Sequence, residues 1–381
     1  MARISIEKNI SFDDVRKIYY VTFNYGDGVR VKKTYNTKAE AQKAKKIFEG
    51  EKSKRELVKP NKETVESWFL YWLENICKPN TRETTVYGYT NIIKKHILPE
   101  LGKIELQKLS AAQIRSYYAK KSNGEKPLSN NTLRKHHDVF SIVLNSAVIE
   151  EKIEKNPIDK VIAPKKTQVG YTVYSAEELS EFFKSLEGHR LEIVAKLAGY
   201  YGLRREEICG LMWTDIDFEK NVFSINRAMT MAGGKVIIGD PKTESSKRKQ
   251  ALVNDVKNVL IRLRQEQERN QKYLGTEYTN TGFVLTWPNG MPYRPNYISE
   301  LFTKFLKDNG FKKIKLHELR HSFASIANDL GISLFDISKA LGHGTPSTTG
   351  KVYTHLFDQT NKKIIDRVAE AIQKYQEADN S

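Results

Sequence analysis

Two polar segments that contain prolines divide this chain into three parts, and this division constrains the fold more than any other feature. The first is VKPNKET at residues 58–64, and the second is KNPIDKVIAPKKTQVGYT at residues 155–172. Proline and clustered polar residues interrupt regular structure and are typical of linkers. Because 381 residues exceed one typical domain, we predict three domains, at residues 1–58, 63–157 and 173–381.

The first part combines a β-hairpin with a lysine-rich helix. KIYYVTFNY and VRVKKTY are rich in β-forming residues and flank a GDG turn, and the preceding RISIEKN could pair with them. A capping-box pattern, Thr37 to Glu40, begins the helix. We predict a three-stranded sheet plus one helix. Its basic face would enter a DNA major groove through Arg30, Lys32 and Lys33; a solvated charged face is the alternative.

The second part predicts four helices. Val65, Trp68, Phe69 and Trp72 recur at the spacing of one helical face, so we expect them in the core. The second helix is predicted to end before Pro99, because proline interrupts helices.

The fourth of these helices begins near Ser129 with a basic end. We expect Arg134 and Lys135 to lie on a phosphate backbone. His136 and His137 could suggest a metal site, but neighbouring residues on a helix point in different directions. We therefore expect both histidines to face solvent.

The third part is predicted to be mainly helical with one β-rich insertion. NVFSINRAMTM, KVIIGDPK and KRKQALV predict a three-stranded sheet, with Lys242 at the tip of a hairpin. The predicted fold class is thus mainly α with small β-sheets, in which a mixed α/β domain follows a four-helix domain and an N-terminal sheet-plus-helix domain.

The charge of the chain favours a polyanionic partner. It has 63 Lys and Arg against 46 Asp and Glu, a net charge of +17, which is typical of proteins that bind nucleic acid.

The two cysteines, Cys77 and Cys209, are too few for a disulfide framework or a zinc site, and we expect both to be reduced. No signal peptide or membrane span is predicted, so we expect a cytoplasmic protein with no membrane partner.

The segment HELRH, residues 317–321, matches the HExxH pattern of zinc metalloproteases. That interpretation requires a third ligand and explains neither the net charge nor the second polar cluster, LGHGTPSTTGKVYTH. We therefore favour a different site, with no metal.

Five motifs occur in a fixed order over about 150 residues of the third part. They are GLRREE with Arg204, PKT with Lys242, HELRH with His317 and Arg320, LGH with His343, and VYTH with Tyr353. In order and local sequence they closely resemble the tyrosine recombinases, the integrases of temperate phages and conjugative elements. The helical second part resembles the core-site DNA-binding domain of that family, and residues 1–58 resemble its arm-binding module.

The resemblance implies a role for each residue. Tyr353 is expected to attack a phosphodiester and form a 3′-phosphotyrosyl link, while Lys242 protonates the leaving 5′-oxygen. Arg204 and Arg320 are expected to fork onto the phosphate oxygens, which lysine cannot do. The remaining two, His317 and His343, add hydrogen bonds, and His317 helps to take the tyrosine proton.

Glu207 is expected to orient Arg204 or a histidine. The bond energy is kept in the phosphotyrosyl link and the arginines replace a metal ion, so no cofactor is expected.

The resemblance also implies partners. We expect double-stranded DNA with core-type and arm-type sites, held in a C-shaped clamp, and a homotetramer on synapsed DNA. A DNA-bending protein and an excisionase are further possible partners. The C-terminal tail has apolar residues at helical spacing, and it could pack on a neighbouring subunit or on its own domain; they are Ile364, Ile365, Val368, Ala369 and Ile372. A DNA-binding regulator with an inactive recombinase domain and a type IB topoisomerase are the alternative functions.

Overall fold

The computed structural model describes residues 3–26, 28–53, 58–167, 170–241 and 246–342. The chain divides into two compact units, residues 1–168 and 169–381. The described fold is mainly helical with small antiparallel sheets, which confirms the predicted fold class. The division into three domains stays a prediction.

The N-terminal sheet has four strands rather than the three predicted. They are β1 (Arg3–Glu7), β2 (Ile10–Asp13), β3 (Ile18–Gly26) and β4 (Val29–Tyr35), antiparallel in the order β1-β2-β3-β4. The prediction missed β2 because Asn9, with a φ of 72°, reverses the chain directly after β1. Asparagine tolerates this left-handed conformation better than most residues. The helix Lys38–Ser53 follows the sheet, as predicted.

The two faces of this sheet differ. Ile10, Val21 and Phe23 are buried in one cluster with Ala41 and Phe48 of the helix. On the other face, Arg3 and Lys32 lie over the ring of Tyr20, at 4.4 and 4.7 Å from its centroid. One face is therefore apolar and covered, and the other carries cationic side chains.

Residues 58–167 form the four predicted helices. Two are continuous helices that contain a π-helical turn: residues 65–80, with π-turn Trp72–Cys77, and residues 83–101, with π-turn Ile93–Ile97. The other two are Ala111–Asn123 and Asn130–Ile149, and 3₁₀ turns lie at Leu106–Lys108 and Pro157–Lys160.

The prediction that the second helix ends before Pro99 is wrong. The helix continues to Leu101, and the π-turn explains how. The Leu98 N–H donates to the Ile93 carbonyl, five residues back, so the wider turn accommodates a proline that an α-helical turn would exclude. Pro79 likewise follows a π-turn, in which the Lys78 N–H donates to the Leu73 carbonyl.

The core of this helical region confirms the predicted apolar face. Val65, Trp68, Phe69 and Trp72 are all buried, and Trp68 Nε1 donates to the Val143 carbonyl at 3.1 Å. The prediction for the two histidines is wrong for His136, which is 1% exposed.

The position of His136 has a simple cause, since it lies on the apolar face of its helix. Its Nδ1 and the hydroxyl of Tyr117 lie 2.7 Å apart and share a hydrogen bond, which satisfies the buried ring. The half-buried His137 makes the same kind of bond with Tyr118, at 3.1 Å.

The second unit contains seven helices within its described ranges: Ala176–Ser185, Glu192–Tyr201, Arg205–Cys209, Asn254–Leu274, Pro295–Asp308, Leu316–Asp329 and Leu334–Leu341. Its strands are β5 (Ile216–Asp217), β6 (Val222–Ile225), β7 (Ala228–Ala232), β8 (Lys235–Gly239) and β9 (Arg248–Ala251), and 3₁₀ turns lie at Trp213–Asp215 and Gly275–Glu277. One helix, Glu192–Tyr201, is buried along nearly its whole length and packs against Leu316–Asp329.

The predicted single three-stranded sheet of this unit is wrong. The strands form two sheets, β5-β6-β9 and β7-β8. The first predicted strand is interrupted at Asn226 and Arg227, because both side chains bond the buried carboxylate of Asp215. This interruption directs β7 away from β6. Within the described ranges, no helix has the length and apolar character needed to cross a membrane.

Candidate active site

A glycine at the end of the buried helix places the first predicted catalytic arginine. Gly202 ends the helix Glu192–Tyr201 with a φ of 60°, in the left-handed region. A Cβ atom added to Gly202 would lie 2.4 Å from Leu341 Cδ2 and 3.0 Å from Phe323 Cδ1. The backbone conformation thus favours glycine here, and any larger residue would displace the buried side chain of Leu341. Two residues later, Arg204 begins the helix Arg205–Cys209.

Arg204 is held by a buried carboxylate one helical turn ahead. Glu207 is 3% exposed, and its carboxylate accepts from Arg204 Nη1 at 2.6 Å and from the Arg204 backbone N–H at 3.1 Å. Arg248 Nη2 donates to the same carboxylate at 3.1 Å. Burial alone would raise the pKa of Glu207, but the guanidiniums of Arg248 and Arg204 lower it below its ordinary value. Glu207 is therefore ionised near neutral pH and lies between two cations.

The neighbouring Arg205 has a different environment. Its guanidinium donates to Glu206 at 2.7 Å and to the hydroxyl of Ser299 at 2.7 Å. Of these two adjacent arginines, the resemblance assigned the catalytic role to Arg204, and Arg204 is the one that contacts the buried Glu207.

Arg320 links two segments of the site. It is 1% exposed, and its guanidinium donates to the carbonyl of Gly202 and, at 2.8 Å, to the carbonyl of Leu341. Gly202 lies two residues before Arg204, and Leu341 lies two residues before His343. A single planar guanidinium thus fixes the ends of both segments, which a lysine ammonium could not do with the same geometry.

His317 lies one turn before Arg320 on the helix Leu316–Asp329. The residue keeps an exposed surface, yet the surrounding protein removes enough water to lower its pKa, and the charge of Arg320 lowers it further. His317 is therefore neutral near pH 7 and can accept a proton.

His321 is buried and packs against two neighbouring rings. Its ring meets that of His317 edge to face at 5.1 Å and lies 4.2 Å from the ring of Tyr171. Among the described residues, no group of three His, Cys, Asp or Glu side chains is placed to hold a metal ion.

Three of the predicted catalytic residues, Lys242, His343 and Tyr353, lie outside the described residues, as does the C-terminal tail. The structure does describe residues close to Lys242 and His343 in sequence, among them Ser246 and Gly342. Ser246 is 1% exposed, and its hydroxyl lies 3.5 Å from Arg204 Nη1 and 3.4 Å from the Gly342 carbonyl. Within the described ranges, the structure therefore brings together Arg204, Glu207, His317 and Arg320.

Family models match most of the chain after residue 63. The phage integrase family matches residues 173–360, the phage integrase N-terminal SAM-like domain matches residues 64–122, and the phage integrase SAM-like domain matches residues 101–165. The chain belongs to the phage integrase family of tyrosine recombinases.

Individual relatives agree with this assignment. The ICEBs1 integrase of Bacillus subtilis is 27% identical over 351 residues, which are 90% of this chain and 93% of the relative. A XerC-like tyrosine recombinase of Caldanaerobacter subterraneus is 28% identical over 314 residues, 77% of this chain and 80% of the relative.

Solved structures share the fold. The Tn1549 transposon integrase, in complex with a circular intermediate DNA, aligns with a TM-score of 0.68 at 18% identity, covering 80% of this chain and 99% of that chain. A lambda integrase tetramer bound to a Holliday junction aligns with a TM-score of 0.54 at 17% identity, covering 90% of this chain and 97% of that chain.

The predicted DNA-binding residues of this integrase are all exposed but do not share one face. Arg30 and Lys32 lie two residues apart on β4 and therefore share one face of the sheet. This is the face on which Arg3 lies over the ring of Tyr20. Lys33 points to the other face, where its Nζ lies 5.9 Å from the ring of Phe23. In the helical region Arg134 and Lys135 are exposed, and Arg134 Nη1 donates to the Pro164 carbonyl at 3.2 Å.

Sequence reasoning missed two residues at this site, Ser246 and Arg248. Both follow Lys242 closely, in the segment KTESSKR, and that segment is polar enough to be interpreted as a turn. A usable signal is the alternation in β9, where an arginine occupies a position that points into the unit.

Proposed function

We propose that this site-specific recombinase of the integrase class cuts and rejoins DNA through a 3′-phosphotyrosyl intermediate, to integrate and excise a mobile element. The observation that supports this most is the position of Arg320, whose guanidinium joins the segment that leads to Arg204 with the segment that leads to His343. A site that gathers such groups around one point is suited to the charge of a phosphodiester in its transition state.

The reaction begins when the phenolic oxygen of Tyr353 attacks the phosphorus. The proton of the phenol passes to His317, which is neutral near pH 7 because the loss of surrounding water and the charge of Arg320 lower its pKa. The bond from phosphorus to the 5′-oxygen breaks, and Lys242 protonates that oxygen to give a 5′-hydroxyl. Arg204 and Arg320 donate to the non-bridging oxygens throughout, and His343 donates a further hydrogen bond. Arg320 does so through N–H bonds other than the two that point to the Gly202 and Leu341 carbonyls.

Rejoining reverses these steps. A 5′-hydroxyl of the partner strand returns its proton to Lys242 and attacks phosphorus, and the phenolate of Tyr353 leaves and takes back its proton. Because one phosphodiester is replaced by another bond of similar energy, no nucleotide hydrolysis is needed. The arginines carry out the charge stabilisation that Mg²⁺ provides in other phosphoryl-transfer sites, so we propose that the reaction proceeds without a metal.

The proposed partners follow from the same chemistry. Strand exchange joins two duplexes, so we propose a homotetramer on synapsed core sites, supported by the likeness to a lambda integrase that was solved as a tetramer on a Holliday junction. The open face of the N-terminal sheet, with Arg30 and Lys32, is proposed to bind arm-type DNA. A DNA-bending protein and an excisionase are proposed to assist, and the reaction is proposed to take place in the bacterial cytoplasm.

A covalent-trapping assay tests this proposal. Nicked suicide duplexes, tiled from the DNA that flanks the gene, are incubated with wild type and with Tyr353→Phe in the presence of a chelator. We expect a protein–DNA adduct with wild type alone, and equal DNA binding by both proteins. Binding without an adduct on every duplex would favour the regulator, whereas relaxation of plasmids that lack these sites would favour a topoisomerase.

A further inference from the structure

The carboxylate of Glu207 accepts hydrogen bonds from a second arginine besides Arg204. Its two carboxylate oxygens accept from Arg204 on one side and from Arg248 on the other, at 2.6 and 3.1 Å. The carboxylate is 2% exposed and the Arg248 side chain 9%, so this ion pair is screened little by solvent. The orientation of Glu207, and through it that of Arg204, therefore depends on a second arginine.

Arg248 belongs to a different segment from Arg204. It lies at the start of β9, where it pairs with Ile225 of β6, and its Nη1 donates to the carbonyl of Ser246 at 3.0 Å. β9 is the first strand that follows Lys242 in the sequence. The guanidinium of Arg248 thus joins this strand to the helix that begins beside Arg204.

Stability alone does not account for an arginine at this position. Two guanidiniums share one carboxylate, which leaves the buried group with an excess positive charge. Arg248 Nε is also buried, and no acceptor for it lies within the described residues. A whole buried ion pair or triad can often be replaced by apolar residues without loss of stability, so stability does not explain why this set of charges is present.

We propose that Arg248 is a positioning residue for strand cleavage, which fixes Arg204 through the carboxylate of Glu207. Glu207 without Arg248 would keep one strong partner but could rotate about its side-chain bonds. With both arginines bound, the carboxylate is held on two sides, and Arg204 keeps the plane in which its N–H groups meet the phosphate. Arg248 itself does not touch the DNA. This inference rests on the proposed role of Arg204.

The first experiment measures single-turnover cleavage of a suicide duplex by Arg248→Met, Glu207→Gln and the double variant. We expect Arg248→Met to slow cleavage on the order of 100-fold, with DNA affinity within about twofold of wild type. Because both residues act through one carboxylate, the double variant should be no slower than the slower single variant. The proposal would be overturned if Arg248→Met cleaved at the wild-type rate. It would also be overturned if the loss of rate in the double variant equalled the product of the two single losses.

A modified substrate separates this role from an effect on the leaving group. Sulfur in place of the bridging 5′-oxygen gives a thiol leaving group, which departs without a general acid because its pKa is far lower than that of an alcohol. This substrate should restore cleavage to Lys242→Ala but not to Arg248→Met. Restored cleavage by Arg248→Met would mean that Arg248 acts through the segment of Lys242, contrary to the proposal.

Two controls exclude misfolding. Arg227→Met removes a comparable guanidinium from the buried carboxylate of Asp215, and it should lower the melting temperature to a similar extent yet cleave at the wild-type rate per folded molecule. Arg248→Lys keeps the charge but cannot reach Glu207 and Ser246 together, so we expect an intermediate rate. If Arg227→Met cleaved as slowly as Arg248→Met, the slower cleavage would be explained by lower stability alone, contrary to the proposal. A wild type that forms no adduct would contradict the proposed function as well.

Discussion

Arg320 shows at the scale of one residue why the site needs a guanidinium. A buried cation is costly unless its donors are matched, and this one is matched by two backbone carbonyls at different places in the chain, Gly202 and Leu341. Planarity lets one side chain satisfy both carbonyls at once. The ammonium of lysine has the same charge but not this geometry.

Arg320→Lys is therefore expected to slow covalent adduct formation about 100- to 1000-fold and to lower the melting temperature. Arg205→Lys is the matched control, since Arg205 contacts Glu206 and Ser299 instead, and it should cleave within about twofold of wild type. Single-turnover trapping on a suicide duplex measures both. Equal rates for Arg320→Lys and wild type would show that charge alone is sufficient at this position.

His136 makes the stability of the first unit depend on pH. Burial, followed by the charges of His96 and Lys121, lowers its pKa to about 4, well below its ordinary value. The unfolded chain therefore binds a proton on this residue between about pH 6.5 and pH 4, where the folded chain does not. Stability from His136 is complete above that window and is lost as the pH falls through it.

We expect thermal unfolding of the first unit to move to lower temperature between pH 7 and pH 4.5, with a loss of about 2 kcal/mol for this group. His136→Gln should flatten that pH dependence, at a cost in stability at pH 7 from the altered contact with Tyr117. His137→Gln, next to it but half-buried, should flatten it less. Parallel curves for wild type and His136→Gln would assign the dependence to other groups.

At the scale of elements, the junction at Gly202 explains how a buried helix delivers Arg204 to the site. The left-handed conformation of Gly202 ends the helix, and its lack of a side chain lets Leu341 and Phe323 approach. Gly310 has a similar φ, 69°, but a Cβ atom there would meet nothing within 4 Å. A substitution at Gly310 therefore tests backbone strain alone, whereas one at Gly202 tests backbone strain together with a steric clash.

Gly202→Ala should lower the free energy of unfolding by about 2–4 kcal/mol, since it adds overpacking to strain in the backbone. Gly310→Ala should cost only about 1 kcal/mol. Denaturant titration of both variants gives the difference, and trapping should show slower cleavage for Gly202→Ala alone. Equal costs at the two positions would contradict the role assigned to close packing at Gly202.

The N-terminal sheet offers a second test at this scale, because its basic residues are divided between two faces. Arg30→Ala with Lys32→Ala should weaken binding to arm-type DNA and reduce the slope of log Kd against log salt by about 2. Lys33→Ala, on the helix-covered face, should leave the slope nearly unchanged. DNA titrations at several salt concentrations compare them. A loss for Lys33→Ala as large as for the others would place the contact on the opposite face.

Much of this element structure could be predicted from sequence, and the failures share a cause. Trp68 and its neighbours on one face gave the helical core, since local periodicity reports burial directly. The break at Asn226 and Arg227 could not be predicted, because it depends on Asp215, which is distant from the pattern of the strand. Pro99 misled for a similar reason, because the π-turn that accommodates it has no clear local signal.

Motif order was enough to group Arg204, His317 and Arg320, but not to find their supports. Arg248 escaped detection because its importance lies in one contact with Glu207, 41 residues away in sequence. Motifs identify residues by type and spacing, whereas positioning residues are defined by contacts made in the folded chain.

For the molecule as a whole, the net charge and the family assignment both indicate a protein that binds DNA. A net charge of +17 suits a protein that binds a long polyanion, and the family models place the integrase region over residues 173–360 and the SAM-like region over residues 64–165. The proposed function depends on one covalent event, which joins the second unit to DNA at a tyrosine. Neither binding nor fold alone distinguishes this event from simple recognition.

The most direct measurement is the identity of the atom that becomes linked to DNA. Wild-type adduct from a suicide duplex is digested with protease and nuclease, and the modified peptide is identified by mass spectrometry. We predict a 3′-phosphonucleotide on the peptide that contains Tyr353 and a free 5′-hydroxyl on the other DNA end. A nucleotide attached to any other residue, or a 5′-phosphate link, would contradict the account.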